Sequence, residues 1–451
     1  MTAEDSTTGK QAAQDEIIAS CLEHNFWTWS AQGAVKPLPV AGAEGAYFWD
    51  FRGRRYLDLN SGVMCVNIGY GDQRVIEAII EQARELAFAG PHTATRARAE
   101  LGQVLAGITP SGLGTFLYTS GGSEANENAI KLARAFTGRH KILAQYRSYH
   151  GATHGSNAAT GDPRRWTWEP NLMPGVVHFF GPAGDPWSLE GSTHAADSAL
   201  DRLHSVIRHE GPETIAAVLI ETIPGTNGVL IPPDGYLEGV RELCDRYGIQ
   251  LICDEVMTGF GRTGTWFAVE HEGITPDLMT MAKGLTSGYA PLGAVAIADH
   301  ITAYFSERVF QGGLTYNGHP LGLAAAIANI GVLKSDGLVD RARLLGAVLE
   351  TALTELADKH AVIGSVRSIG LMGAIDLVQP DAPHTPMSEH AERSPEIQML
   401  KNDCLLHGLY LRAHMSTLLI MPPLPIEEQD LRSGLGTLSD CIGRMEDKLK
   451  S

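Results

Sequence analysis

Four short runs, "AAVLIE" at 216–221, "QLICDE" at 250–255, "DLMTMAK" at 277–283 and "GAVAIA" at 293–298, are apolar but for polar residues at their ends and Thr280, instead of alternating with polar residues. A strand of that kind has no solvent face, so it belongs inside a sheet covered on both sides. Helical patterns such as "GYLEGVRELCDRYG" at 235–248 stand between such runs, and the same alternation begins upstream. There "RVIEAIIEQARELA", "TFLYTS", "EANENAIKLARAFTG" and "KILAQY" follow one another as helix, strand, helix and strand. Short buried strands alternating with helices predict an α/β fold, a largely parallel sheet built from right-handed crossovers.

This region spans residues 65–330. Beyond it the texture changes to a long helical pattern, "LVDRARLLGAVLETALTELADK", followed by "VRSIGLMGAIDLV", "LYLRAHMSTLLIMPP" and a terminal helix. Residues 331–451 therefore read as a smaller α+β domain, joined by the N-terminal segment 1–64, with the Pro-rich "QPDAPHTPMSEHAERSP" as a loop. A chain of 451 residues with 44% hydrophobic and 19% charged residues can bury such a core. Its net charge of -17 argues against nucleic acid or an anionic membrane as partner. The polar N-terminus and the absence of a long apolar run predict a cytoplasmic protein.

One stretch imitates a nucleotide motif. "QLICDEVMTGFGRTG" contains G-x-G-x-x-G at Gly259, Gly261 and Gly264, but the strand ends at Asp254 and no convincing helix follows the third glycine. A dinucleotide turn needs both, so the glycines read as a tight loop, scaffold near a subunit boundary. The residue of interest becomes Asp254. It ends one apolar strand, as Lys283 ends the next, and ligands of open α/β sheets collect at the C-terminal strand ends. An amine able to form a Schiff base and an anion able to keep a pyridine nitrogen protonated are what pyridoxal 5'-phosphate requires. In "YTSGGSEANENAIKLAR" a strand, a glycine turn and a helix present Gly121, Gly122 and Ser123 at a helix N-terminus, a setting suited to a phosphate.

These segments, with "SYHGAT", "MAKGLTSGYAPLGA", "GGLTYNGHPLG" and the closing "GLYLR" and "MPPL", occur in the order found in class III aminotransferases, which the chain resembles from about residue 24 to its end. The resemblance implies fold type I of the pyridoxal-phosphate enzymes and a homodimer with shared active sites. It makes Lys283 the Schiff-base lysine and Asp254 the partner of the pyridinium nitrogen. Val256 and Tyr149 would cover the two ring faces, and Glu221 would be an acidic residue near the ring. Gly122 and Ser123 would hold the phosphate, with Thr315 reaching it from a neighbouring subunit. Arg412 matches the arginine that receives a substrate carboxylate. Trp27 or Trp29 would border the substrate's way in, and Met64 stands where a tryptophan is common.

Where relatives that handle 4-aminobutyrate or ornithine carry a glutamate able to pair with that arginine, this chain has Thr226. The resemblance is therefore to the ω-aminotransferase branch. It implies transfer from taurine, β-alanine or a similar ω-amino acid or amine to pyruvate or 2-oxoglutarate, by ping-pong kinetics. A mutase, racemase or decarboxylase on the same fold is the alternative; a non-catalytic binding protein is a third.

Other features read as structural. His150 and His154 stand four apart but lack the glutamate and third ligand of a metal site, and Gly151 and Gly155 weaken a helix there. The six cysteines form no C-x-x-C pair, so no metal is expected. The aromatic clusters "FWTW" at 26–29 and "WTW" at 166–168 read as core or subunit contacts.

Overall fold

The computed structural model describes residues 3–183, 196–388 and 394–450. Its centre is a seven-stranded sheet in the order Thr115–Thr119, Gly293–Ile297, Leu278–Met281, Gln250–Asp254, Ile215–Glu221, Lys141–Gln145, Val176–Phe179. The run from Leu278–Met281 to Val176–Phe179 is parallel, and Gly293–Ile297 alone runs against both of its neighbours. All residues of the strands Ile215–Glu221, Gln250–Asp254 and Leu278–Met281 are buried, the reason their sequences show no alternation.

Two smaller sheets complete the architecture. Gly42–Glu44, Tyr47–Trp49 and Arg55–Asp58 form an antiparallel meander, and Leu409–Tyr410, from near the other end of the chain, pairs parallel with Arg55–Asp58. The other contains Ile363–Ile369, Met372–Gln379, Thr417–Ile420 and Arg412–His414. The helix Pro320–Ser335 runs through residue 330, and Leu338–Lys359 follows it after a short break.

Two expectations need correction. Ala382–Pro386, expected as loop, is a strand on Met372–Gln379, paired at Val378↔Pro386 and Gln379↔Ala382; prolines are tolerated on such a sheet margin because they need donate no ladder bond. Residues 389–393 of that stretch lie outside the described residues. Trp29, Trp166 and Trp168 are exposed, as is Phe26, so these aromatics are surface residues of the chain and not core.

The glycine loop, expected as scaffold, is buried within this chain. Arg262 is fully buried, donating to the carbonyls of Leu371 and Pro422 at 2.9 and 2.6 Å and to Ser61 Oγ and Asn67 Oδ1 at 3.1 Å. The guanidinium thus joins the N-terminal segment, the central sheet and the C-terminal strands, and burial lowers its pKa to about 10.

Candidate active site

The parallel strands deliver Glu221 and Asp254 side by side, since these residues are register partners at the C-terminal ends of Ile215–Glu221 and Gln250–Asp254. The next strand ends at Met281, and two residues on Lys283 begins a single 3-10 turn with φ 38°. A left-handed, non-glycine residue is conformationally costly and is held by its surroundings. The following Gly284 shows how tightly: a Cβ there would stand 2.6 Å from Asn67 Nδ2 and 3.0 Å from Phe260 Cβ. Burial lowers the pKa of the Lys283 amine, opposed by the charges of Glu221 and Asp254 and reinforced by Arg164. A lysine so placed yields a neutral, nucleophilic amine more readily than one in water.

Asp254, only 4% exposed, is held on both oxygens. Oδ1 accepts from the Val256 amide at 3.0 Å, and Oδ2 accepts from Asn126 Nδ2 at 2.7 Å and from His150 Nδ1 at 2.8 Å. Asn126 is itself fixed, its Oδ1 accepting from Thr280 at 2.9 Å and its amide donating to the His150 carbonyl at 2.8 Å. The network crosses from the helix Gly122–Thr137 to two strands, which sets the carboxylate's direction. His150 Nε2 is buried and has no partner among the described residues.

His150 is a neighbour of Asp254 that motif reading passed over. His154 lies at the start of the helix His154–Ala159, whereas His150 precedes that helix and turns inward to Asp254. The helix forms despite Gly155 because Glu127 Oε1 accepts the amides of Gly155 and Ser156, with Thr153 and Ser156 completing a capping box. The available signal was the histidine's position beside Tyr149.

Glu221 accepts from the amides of Tyr149 at 2.8 Å and Gly225 at 3.0 Å. Burial pushes its carboxyl up to about 7. Tyr149 is thereby tied to the sheet edge, and the Arg164 guanidinium lies over its ring, 3.8 Å from the centroid. Arg164 is in turn gripped by Asp162, Nε reaching Oδ1 at 3.0 Å and Oδ2 at 2.8 Å. Sequence reading passed over this pair, which carries no motif spacing.

The glycine turn closes the other side. Gly122 opens the helix Gly122–Thr137, and a Cβ on it would press on the Val256 methyls at 3.0 Å, while a Cβ at Gly121 would meet nothing within 4 Å. Ser123 Oγ accepts from the Ala152 amide at 3.2 Å and packs on Gly151, where φ is 139° and a Cβ would come within 2.4 Å of that oxygen. The amides opening this helix lack intrahelical partners and face negative charge favourably. Lys283, Asp254, Glu221, Tyr149, Val256, Gly122 and Ser123 are therefore connected around one strand edge.

The remaining candidates stand further out. Met64, with φ 53°, is buried among Ile223, Met257, Met372 and Leu419. Arg412 is half-buried on the strand Arg412–His414, its guanidinium beside the Tyr410 hydroxyl. Trp27 sits in a turn closed by Gln32, which accepts from its amide and donates to its carbonyl. Thr315 lies exposed between Val309 and Gly318, and the described contacts do not join it to the group.

The residues suit pyridoxal phosphate: a displaced-pKa amine, an anchored carboxylate with an orphaned imidazole nitrogen behind it, and an open helix N-terminus within one cluster. Fold and site together define a fold type I pyridoxal-phosphate enzyme. Within that class, the family described as aminotransferase class-III matches residues 29–442, and the chain belongs to it. It is 33% identical over 417 residues to putrescine–pyruvate aminotransferase of Pseudomonas aeruginosa, covering 89% of this chain and 90% of that one. It is 32% identical to taurine–pyruvate aminotransferase of Rhodobacter capsulatus over 95% of this chain and 97% of the other. The taurine:2-oxoglutarate aminotransferase of Bifidobacterium kashiwanohense, solved with pyridoxal phosphate and glutamate, superposes with a TM-score of 0.92 at 36% identity, covering 97% and 99% of the two chains. The protein is a pyridoxal-phosphate-dependent aminotransferase of the ω-type family.

Proposed function

We propose that the enzyme takes its amino group from an ω-amino acid or terminal amine of the taurine or β-alanine kind and gives it to pyruvate or 2-oxoglutarate. The observation that carries this reading is the placement of two cations outside the Lys283–Asp254 pair: Arg164 over Tyr149, close enough for its charge to act on Lys283, and Arg412 on the C-terminal strands. A donor with its amine at Lys283 and an anion at its far end would suit such cations. The taurine named for one relative is a donor of this anionic kind, and the putrescine named for another, a diamine with no anion, marks the terminal-amine end of the range.

Bound at this site, pyridoxal phosphate supplies an aldehyde that condenses with amines and a ring that withdraws electrons from the substrate carbon. In this assignment Asp254, oriented by Asn126, His150 and the Val256 amide, holds the ring nitrogen's proton. Lys283 Nζ, favoured as a neutral amine, would accept the proton from the substrate carbon and return it to the carbon on the other side of the amine nitrogen. Tyr149 and Val256 would cover the ring, the Gly121–Ser123 turn would receive the phosphate, and Glu221, with its raised pKa, would hold or share a proton beside them. Two such half-reactions give ping-pong kinetics. Thr315 would complete the phosphate site of a second subunit in a cytoplasmic homodimer, for which exposed Phe26, Trp29, Trp168 and Tyr316 offer apolar contact. Residues 65–330 would form the cofactor domain, with 1–64 and 331–451 the smaller one. Among the described residues no single helix is long and apolar enough to cross a membrane.

The test is a panel of donors, anionic and neutral, each mixed with the enzyme without acceptor and followed by the cofactor's spectral change, then discharged with pyruvate or 2-oxoglutarate. Spectral reduction by anionic ω-donors, reversed by either oxo acid, is the expected result. Turnover of a donor with no oxo acid present would overturn the two-substrate assignment in favour of a mutase, racemase or decarboxylase.

A further inference from the structure

Far from any of the motifs, the helices Pro395–Leu406 and Glu428–Lys450 meet in a cluster of soft and hard donors. Asp403, His407 and Cys441 bring a carboxylate oxygen, an imidazole nitrogen and a thiol sulfur all within 4.8 Å of one another. Cys404, fully buried, is hydrogen-bonded through its thiol to Cys441, itself 1% exposed, and so adds a second sulfur beside the first. His407 is exposed and Asp403 half-buried, which leaves the group open to an ion from solvent.

A cation is already seated there. Arg444 donates from Nε to Asp403 Oδ2 at 2.8 Å and from Nη2 to Cys441 Sγ at 3.1 Å, and the same nitrogen lies 3.2 Å from His407 Nδ1. One guanidinium thus spans all three donors, while its own side chain is 43% exposed and has solvent to turn into. Thiolate, imidazole and carboxylate in one cluster suit a borderline-soft divalent ion better than calcium or magnesium. With ligand distances of about 2.0–2.3 Å, tetrahedral donors stand roughly 3.3–3.8 Å apart, so shifts of about an ångström close the set of Asp403, His407 and Cys441, which already lie within 4.8 Å of one another.

We propose that Asp403, His407 and Cys441 form a binding site for a zinc-class divalent cation, with the Cys404 thiol packed behind Cys441 and Arg444 as the resident cation that the metal displaces. Spacing alone could not announce it, because the ligands come from two helices and include no C-x-x-C or H-x-x-x-H pair. Binding would release the Cys441 thiol proton to solvent and fasten the C-terminal helix to the turn at His407–Gly408, which leads into the strand Leu409–Tyr410.

The experiment is calorimetric titration of tag-free, chelator-stripped, cofactor-loaded enzyme with Zn²⁺ alone. The expected result is one ion per chain, weakened at least tenfold by His407→Gln, a surface change that spares the core. Arg444→Gln is expected to tighten binding several-fold, an effect a merely structural role for Arg444 would not produce. Cd²⁺ should add an ultraviolet thiolate charge-transfer band that is absent from the Cys404→Ala/Cys441→Ala variant. Uptake equal in wild type and the double-alanine variant, no uptake in either, or an Arg444→Gln variant that binds no tighter, would each overturn the proposal.

Discussion

Asp254 and Arg412 are charged residues assigned to opposite tasks, one to the chemistry and one to recognition, and the protein holds them in opposite ways. Asp254 ends a fully buried strand and is fixed by three donors from three places in the chain. Arg412 is half-buried on a short strand, with a tyrosine hydroxyl beside it. The difference teaches that the carboxylate assigned to the electron-withdrawing chemistry is preorganised, whereas the proposed anion site keeps room to adjust to a substrate.

The deepest break in that contrast comes from the cofactor end. Lys283→Ala is expected to lower turnover by roughly 10²–10⁴-fold or more, the range for a positioned proton-transfer group. Steady-state rates with the best donor check it, and a near-normal rate would sink the mechanism. Asp254→Asn keeps the shape but removes the charge, and a loss of about 10²–10³-fold in kcat is expected. His150→Ala should bring a smaller loss in the same parameter, with a shift in the cofactor's absorbance reporting the disturbed Asp254.

At the other end Arg412→Ala should raise KM for carboxylate or sulfonate donors by about 10–100-fold, the loss of one charge-assisted hydrogen bond, and leave neutral amines nearly unchanged. Equal loss on both classes would remove Arg412 from recognition. Met64→Trp should discriminate against bulky donors by about 1–3 kcal/mol, read as a ratio of kcat/KM for large and small amines.

The smallest effect separates two adjacent acids. Glu255, next to Asp254, is fully buried and accepts from Thr222, Thr258 and the amides of Ala268 and Val269, yet burial pushes its carboxyl up to about 7. An unfolded glutamate ionises near 4.5, so the folded state binds the extra proton between about 4.5 and 7. Its stabilisation is complete below that window and declines as pH rises through it. Chemical denaturation at stepped pH should show this slope, and Glu255→Gln should flatten it while costing about 1–3 kcal/mol through a misplaced amide.

The legible parts of the molecule were those written in consecutive residues. Continuous apolar runs announced the strands of the parallel sheet, and Asp254 and Lys283 could be placed because each directly follows or ends such a run. The reversed strand Gly293–Ile297 looks the same as its parallel neighbours, because burial and not direction decides its composition. The pairing of His150 with Asp254, the stacking of Arg164 on Tyr149 and the span of Arg262 were hidden because each joins segments brought together only by tertiary packing. The hairpin strand Ala382–Pro386 was hidden by its prolines, which signal a loop everywhere except on a sheet margin.

The parallel pairing of Leu409–Tyr410 with Arg55–Asp58 also bears on how the chain is made. During synthesis the first meander leaves the ribosome long before its fourth strand exists, and Arg55–Asp58 must wait with one margin unpaired. Contacts so distant in sequence form late, and they leave an exposed strand margin open to wrong partners in the interval. A nascent chain truncated before residue 409 should therefore aggregate or recruit holdase chaperones, even though the whole central sheet has already been synthesised.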